Sequence, residues 1–541
     1  MSTGNDPATS PNAAGSKKTL LDRIERVGNA LPDPMTLFVI GTVIVFVASW
    51  IMSGTGYEAR LEIAGKEGTE PRVFSAEAWN LASQDGFRWL LDNLITIFTG
   101  FAPLGLVLVA AIGIAIAEKS GLIAAALKLI LLVVPASLLT PATFFAGVMS
   151  SMAVDAGYIV LPPLAAAVYR AVGRSPLVGL AAVFAGVASG FNANLFITGL
   201  DPMLAGMTQE GARMLDSDYV VNPACNWWFM IASTALVTAV GWLVTVWIVE
   251  PRLATKSPEE GGPGVPDGEQ ALSMQLEPAE KSGLVAALVA SLVTLGFLFV
   301  MYFAPWGFLY DPEGSIGTGE GQVPFPTWIR NLVPLLLILF LVPGLVFGYV
   351  TKSIRSDRDV VRMMTEYMEV LGNYIVLAFF ASIFVAAFGK SELGKMVAID
   401  GGAFLRDLGL SSSAMMIAFI VLIAFLNLFV GSMSAKWAML SVVFVPMFMT
   451  VGISPELTQS AYRIGDSVSN CITPLNSYLI IVLVYMQQFA KKSGMGSLIA
   501  LMLPYSVALL IAWCALLAIW IVLGLPLGID GGLVYELRSQ G

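Results

Sequence analysis

Phe145-Ala-Gly-Val-Met-Ser150 and Phe429-Val-Gly-Ser-Met-Ser434 are two versions of one string, 284 residues apart. Pro162 and Pro446 keep the same offset. Further on, Asn194-Leu-Phe-Ile-Thr198 stands opposite Asn470-Cys-Ile-Thr473, with one residue skipped. Each string lies in an apolar stretch interrupted by glycine, proline or hydroxyl side chains. Duplicated, broken, polar segments of this kind point to a binding site near the middle of a membrane.

Composition supports a membrane setting. Of 541 residues, 57% are hydrophobic and 12% are charged, with a mean hydropathy of +0.78. Soluble domains carry about a quarter charged residues, so the chain reads as a polytopic membrane protein. The net charge of −9 argues against a nucleic-acid partner. The sequence has no histidine, so proton chemistry falls to Asp, Glu, Lys or Tyr. Cys225, Cys471 and Cys514 lack metal-type spacing and read as small buried hydrophobes. Residues 1–30 read as a cytoplasmic disordered tail without a signal-peptide core.

The fold class expected is an all-α polytopic protein with about nine spans and two re-entrant hairpins, in two inverted repeats with broken helices. Spans are expected near 34–53, 94–117, 176–205, 226–250, 282–304, 331–351, 366–389, 459–488 and 498–524. Hairpins are expected at 138–170 and 414–450, and interfacial segments at 121–135 and 394–408. Unit one covers 94–250 and unit two 366–524. A cytoplasmic linker (251–281) and a C-terminal tail (525–541) complete the organisation, with 31–53 and 282–351 as scaffold. Lys17, Lys18, Arg23 and Arg26 precede the first span and set the N-terminus inside. Counting then places 206–225 outside and 352–365 inside. Lys119, Lys128, Arg170 and Arg174 also fall inside, as do Lys491 and Lys492.

Candidate site residues come from the interruptions. Ser189-Gly-Phe-Asn192-Ala-Asn194 leads through Thr198 to Asp201-Pro202, and Arg463-Ile-Gly-Asp466 leads through Asn470 and Thr473 to Pro474. Unwound carbonyls with Asn and Thr oxygens suit a sodium ion, and half-helix N-termini suit an anion. Asn194, Thr198, Asn470 and Thr473 are therefore the candidate sodium ligands. Each ionisable residue at depth costs roughly 2.5–3.5 kcal/mol unless paired or hydrated. Arg463 and Asp466 share a helix face and could form a neutral pair. Alternatively, Arg463 receives a substrate carboxylate, and Asp466 binds a cation or carries a proton. Lys436 and Asp155 read as hairpin-tip residues near the interface or in capping contacts. Ser434 and Trp437 lie at the second tip, where Trp437 either stacks on a flat substrate or anchors at the interface. With no Walker sequence or hydrolase elbow, an ion gradient is the expected driving force.

At Gly431-Ser-Met-Ser-Ala-Lys-Trp437, Tyr462–Pro474 and Asn192–Pro202 the chain resembles the p-aminobenzoyl-glutamate transporter family, AbgT, within the ion-transporter superfamily. The resemblance implies a bowl-shaped homodimer in a bacterial inner membrane. It implies a small aromatic carboxylate cargo, p-aminobenzoyl-glutamate or p-aminobenzoate, and in some members efflux of sulfonamide antimetabolites. The positions it marks as functional are Asp201, Ser434, Trp437, Pro455, Arg463, Asp466 and Pro474. Pro455 comes from the resemblance alone. No cofactor beyond sodium or a proton is expected, and the protein is not expected to be an enzyme. A sodium-coupled dicarboxylate carrier is the alternative, and an intramembrane enzyme a remote one.

Overall fold

A computed structural model of the chain describes residues 32–63, 72–152, 156–264, 276–310, 328, 331–476 and 478–536. Helix α1 (Pro34–Thr55) starts where the Asp33 carboxylate accepts from Met35 N and stops at Gly56, whose φ is +63°. Antiparallel strands β1 (Glu58–Ile63) and β2 (Arg72–Glu77) follow. They depart from the all-α expectation. The alternating run Glu58-Ala-Arg-Leu-Glu-Ile63 has a period of two and cannot keep one face as a helix.

The helices then run twice through one order. In the first pass α2 (Gln84–Thr99) and α3 (Ala102–Lys119) lead to the short α4 (Leu122–Val133). The hairpin legs α5 (Leu139–Met149) and α6 (Leu161–Ala171) follow. The interrupted pair α7 (Pro176–Ser189) and α8 (Leu200–Ala212) comes next. Helix α9 (Trp227–Val244) continues through a π-helical turn to Ala254. Helices α10 (Pro278–Phe303) and α11 (Leu332–Thr351) intervene.

The second pass is α12 (Asp357–Lys390), short α13 (Leu393–Asp407), hairpin legs α14 (Ser412–Leu426) and α15 (Met433–Met449), interrupted pair α16 (Pro455–Val468) and α17 (Tyr478–Phe489), and α18 (Met495–Val522). The turn into each hairpin bends by 118°, at α4–α5 and again at α13–α14. Among the described residues seven helices are long and apolar enough to cross a membrane, nine if each bent pair counts as one span.

The passes differ where their prolines differ. The return leg of the first hairpin is broken before Leu161, because Pro162 and Pro163 remove two successive amide donors. The second return leg runs through the single Pro446.

Matching anchors hold the two interrupted helices. Both α7 and α16 are 14 residues long and begin Ser-Pro, with Ser175 and Ser454 as N-caps. The Ser175 hydroxyl donates to Gly261 O at 2.5 Å, and that of Ser454 to Gly532 O at 2.6 Å. In each pass the tail after the last long helix thus folds back onto the start of the interrupted one.

Backbone contacts at glycine seat the broken helices. A Cβ on Gly186 would lie 2.5 Å from Phe144 O, where α7 crosses α5, and one on Gly147 would meet Val183 O at 2.6 Å. We expect Gly186→Leu to cost about 3 kcal/mol of stability through overpacking. Thermal unfolding in detergent would register this as a drop of several degrees in midpoint. An unchanged midpoint would mean that the crossing is loose.

Candidate functional site

Helix α16 is the unusual element. Its sequence, Pro455-Glu-Leu-Thr-Gln-Ser-Ala-Tyr-Arg-Ile-Gly-Asp-Ser-Val468, is polar, yet every residue is buried. Its counterpart α7 is just as buried but almost wholly apolar. Buried polarity is therefore concentrated in the interrupted helix of the second pass. A buried ionic group is tolerated only when paired and hydrogen-bonded.

Arg463 and Asp466 do not pair with each other. Arg463 Nη2 binds Asp201 Oδ1 at 2.6 Å, and Lys436 Nζ binds Asp466 Oδ1 at 2.9 Å. Each bond crosses between elements, and all four residues are 5% exposed or less. Asp201 is fixed from its own side: its Oδ2 accepts from Thr198 N at 2.7 Å and Thr198 Oγ1 at 3.0 Å. Lys436 is not an interfacial tip residue, as expected from sequence, but the buried partner of Asp466. Asp155 lies outside the described residues.

Trp437 is not an interfacial anchor, because it is fully buried. Its ring stacks on Tyr462 at a centroid distance of 4.2 Å, and its Nε1 donates to Thr208 Oγ1 at 3.0 Å. A relay of buried groups fixes that partner. Thr208 donates to Gln459 Oε1 at 2.6 Å, and Gln459 Nε2 donates to Asn226 Oδ1 at 2.9 Å. Asn226 Nδ2 in turn donates to Glu456 O at 2.9 Å.

The breaks are stitched together by two asparagines. Asn192, in the first break, donates to Ser467 Oγ at 2.9 Å, Arg463 O at 3.2 Å and Asp466 Oδ2 at 3.3 Å. Asn427, at the second hairpin tip, donates to Asp466 O and to Asn470 Oδ1, each at 2.8 Å.

Each of the four candidate sodium ligands has a protein hydrogen-bond partner. Asn194 Oδ1 accepts a short hydrogen bond from Ser151, and Thr198 is bound to Asp201. Asn470 is held by Asn427, and Thr473 Oγ1 donates to Leu428 O at 3.4 Å. Ser434 is half-buried at the tip, its hydroxyl 3.4 Å from that of Ser432. Pro455 opens α16, and Pro474 lies in the second break.

One deficit stands out. Arg463 is 0% exposed, yet Nε and Nη1 have no hydrogen-bond partner among the described residues. Orphaned donors on a buried cation are costly. They sit on the same helix as Tyr462, whose ring faces Trp437.

A profile of the AbgT transporter family matches residues 19–535. The chain belongs to the AbgT family. It is 33% identical over 518 residues to the p-aminobenzoyl-glutamate transport protein of Escherichia coli K12, covering 96% of this chain and 97% of that one. The solved structure of Neisseria gonorrhoeae MtrF, described as illuminating a class of antimetabolite efflux pumps, superposes with a TM-score of 0.86 at 39% identity. It covers 96% of this chain and 100% of that one. Alcanivorax borkumensis YdaH, a transporter described as having an unusual topology, gives 0.80 at 37%, over 92% and 100%. The AbgT chain is thus a membrane transporter and not an enzyme.

Several site residues of this AbgT chain were missed in the sequence. Asn427 is the most legible of them, being the one polar side chain between Ala414 and Val430. Thr208, Gln459 and Asn226 gave no local signal. We expect Thr208→Val to orphan the Trp437 N–H and weaken substrate binding about tenfold. A raised half-saturating concentration with unchanged maximal flux would show it; an unchanged concentration would remove Thr208 from the site.

Proposed function

We propose that the protein is an ion-gradient-driven secondary transporter of flat aromatic carboxylates of the p-aminobenzoyl-glutamate and p-aminobenzoate class. Sulfonamide antimetabolites leave by the same route. The observation that carries this reading is the pair of orphaned Arg463 donors. Each free N–H of a buried guanidinium offers a charge-assisted hydrogen bond to a carboxylate oxygen. Arg463 would hold the acid, with the Trp437–Tyr462 stack beside the ring and Ser434 at the tip. Two cations facing two acids leave the site neutral before cargo enters. The name of the E. coli relative supports p-aminobenzoyl-glutamate as cargo, and the description of the N. gonorrhoeae one supports antimetabolite efflux.

In this reading the two units face opposite ways and carry the site between them, in a bacterial inner membrane, with the N-terminus cytoplasmic and two copies forming a dimer. Support for opposed units comes from which loops meet. At one end Ser353 Oγ donates to Ser120 O at 3.0 Å, and Arg174 pairs with Glu250 at 2.7 Å. At the other, Trp79 N donates to Ser391 O at 3.1 Å, Asn222 Nδ2 to Asp530 Oδ2 at 3.2 Å and Tyr535 N to Gly452 O at 2.9 Å. The first hairpin returns to the first set and the second hairpin to the other. Such an arrangement supports alternating access around a central site.

Flux of radiolabelled p-aminobenzoyl-glutamate in proteoliposomes, with sodium and pH gradients imposed separately, tests the reading. Gradient-driven flux that p-aminobenzoate blocks and succinate does not is the expected result. Flux of succinate in preference, or chemical conversion of the label, would overturn it. The direction of net transport follows the imposed gradients.

A further inference from the structure

We infer that the Lys436 ammonium is the resident cation of the second hairpin, standing where a coupling sodium ion would otherwise bind. This rests on the transport reading above. Lys436 Nζ meets three oxygens: Asn427 Oδ1 in a short contact, Val430 O at 3.1 Å and Asp466 Oδ1 at 2.9 Å. An ammonium has three donors and no acceptor, so this set satisfies it. The Lys436 side chain is 3% exposed and that of Asp466 1%.

A carboxylate, an amide oxygen and a backbone carbonyl are also the ligands a hard cation takes. One cage of this charge holds one cation. The candidate sodium oxygens nearby make hydrogen bonds to protein groups and none to Lys436. Asn470 Oδ1 accepts from Asn427, and the Thr473 hydroxyl points to Leu428 O. Sodium therefore does not fit the second hairpin while Lys436 is in place. In the first unit, Asn194 is held by Ser151, and Thr198 is committed to Asp201. Between the repeats Ser434 matches Ser150, so Lys436 falls opposite Met152, which carries no charge. The tethered cation belongs to one repeat only.

Removing the ammonium while keeping the cage should convert the site. Lys436→Ala leaves Asp466 buried without a counter-charge and vacates volume among the same oxygens. Purified wild type and Lys436→Ala would be compared in sodium chloride and in choline chloride, by thermal unfolding and by flux. The wild type is expected to unfold at the same temperature and carry cargo at the same rate in both salts. Lys436→Ala is expected to lose about tenfold or more of its flux in choline. Sodium should raise both its unfolding temperature and its flux. Lys436→Ala/Asp466→Asn, with neither charge, should again ignore sodium.

A wild type stabilised by sodium overturns the proposal, as does a Lys436→Ala variant indifferent to it. If Lys436→Ala does not accumulate, Lys436→Gln serves the same comparison, and the wild-type arm stands on its own. If no protein carries cargo in either salt, the transport reading fails, while the unfolding temperatures still decide the cation proposal.

Discussion

Arg463→Ala is expected to abolish cargo flux, and the loss should persist when Asp201 is neutralised as well. The single variant carries two effects. It removes the buried guanidinium that would receive the cargo, and it strands Asp201, whose Oδ1 has Arg463 as its ion partner. Breaking a buried pair from one side costs about 3–5 kcal/mol, so Arg463→Ala should also unfold at a lower temperature. Arg463→Ala/Asp201→Asn separates the two. Its unfolding temperature should recover most of the loss because no charge is left unpaired, while flux stays absent. Arg463→Lys keeps the charge but gives up the planar fork, and should retain only a small fraction of wild-type flux. Normal flux through a well-folded Arg463→Ala protein would remove Arg463 from the mechanism.

Asp466→Asn should come next in size. Asp466 receives Lys436 Nζ, the Tyr462 hydroxyl at 3.3 Å and Asn192 Nδ2 at 3.3 Å. An asparagine keeps an acceptor for these donors but strands the ammonium. The variant should carry cargo only down its own gradient, if it carries any, and lose its response to an imposed ion gradient. Adding Lys436→Met should restore the unfolding temperature without restoring the gradient response. An undiminished response in Asp466→Asn would show that coupling lies elsewhere.

The elements were legible because their signals are local. The repeated Phe-x-Gly-x-Met-Ser strings, the Gly190 and Pro474 interruptions and the apolar spans each announce themselves within about 20 residues. The partners of the charges were not legible. Arg463 and Asp466 stand three apart, and a sequence offers no nearer mate for either, but Arg463 finds Asp201 across 262 residues. Helix spacing shows which side chains share a face, not what that face meets. Trp437 was ambiguous for a related reason: an indole suits an interface or a core, and only the arrival of Tyr462 and Thr208 decides. Asn427 could have been found, since a lone amide in a 17-residue apolar run has no reason to be there unless something satisfies it. The strand pair after α1 was lost among the spans because only β1 alternates, over just six residues, and Val73-Phe74 breaks the pattern in β2.

In the proposed arrangement two halves of one chain run in opposite senses through the bilayer and share one site. Single cysteines at Asp218 and Arg358, both exposed, test it directly. Asp218→Cys should react with a membrane-impermeant maleimide on intact cells, and Arg358→Cys only after the membrane is opened. Labelling of both positions from the same side would contradict the account.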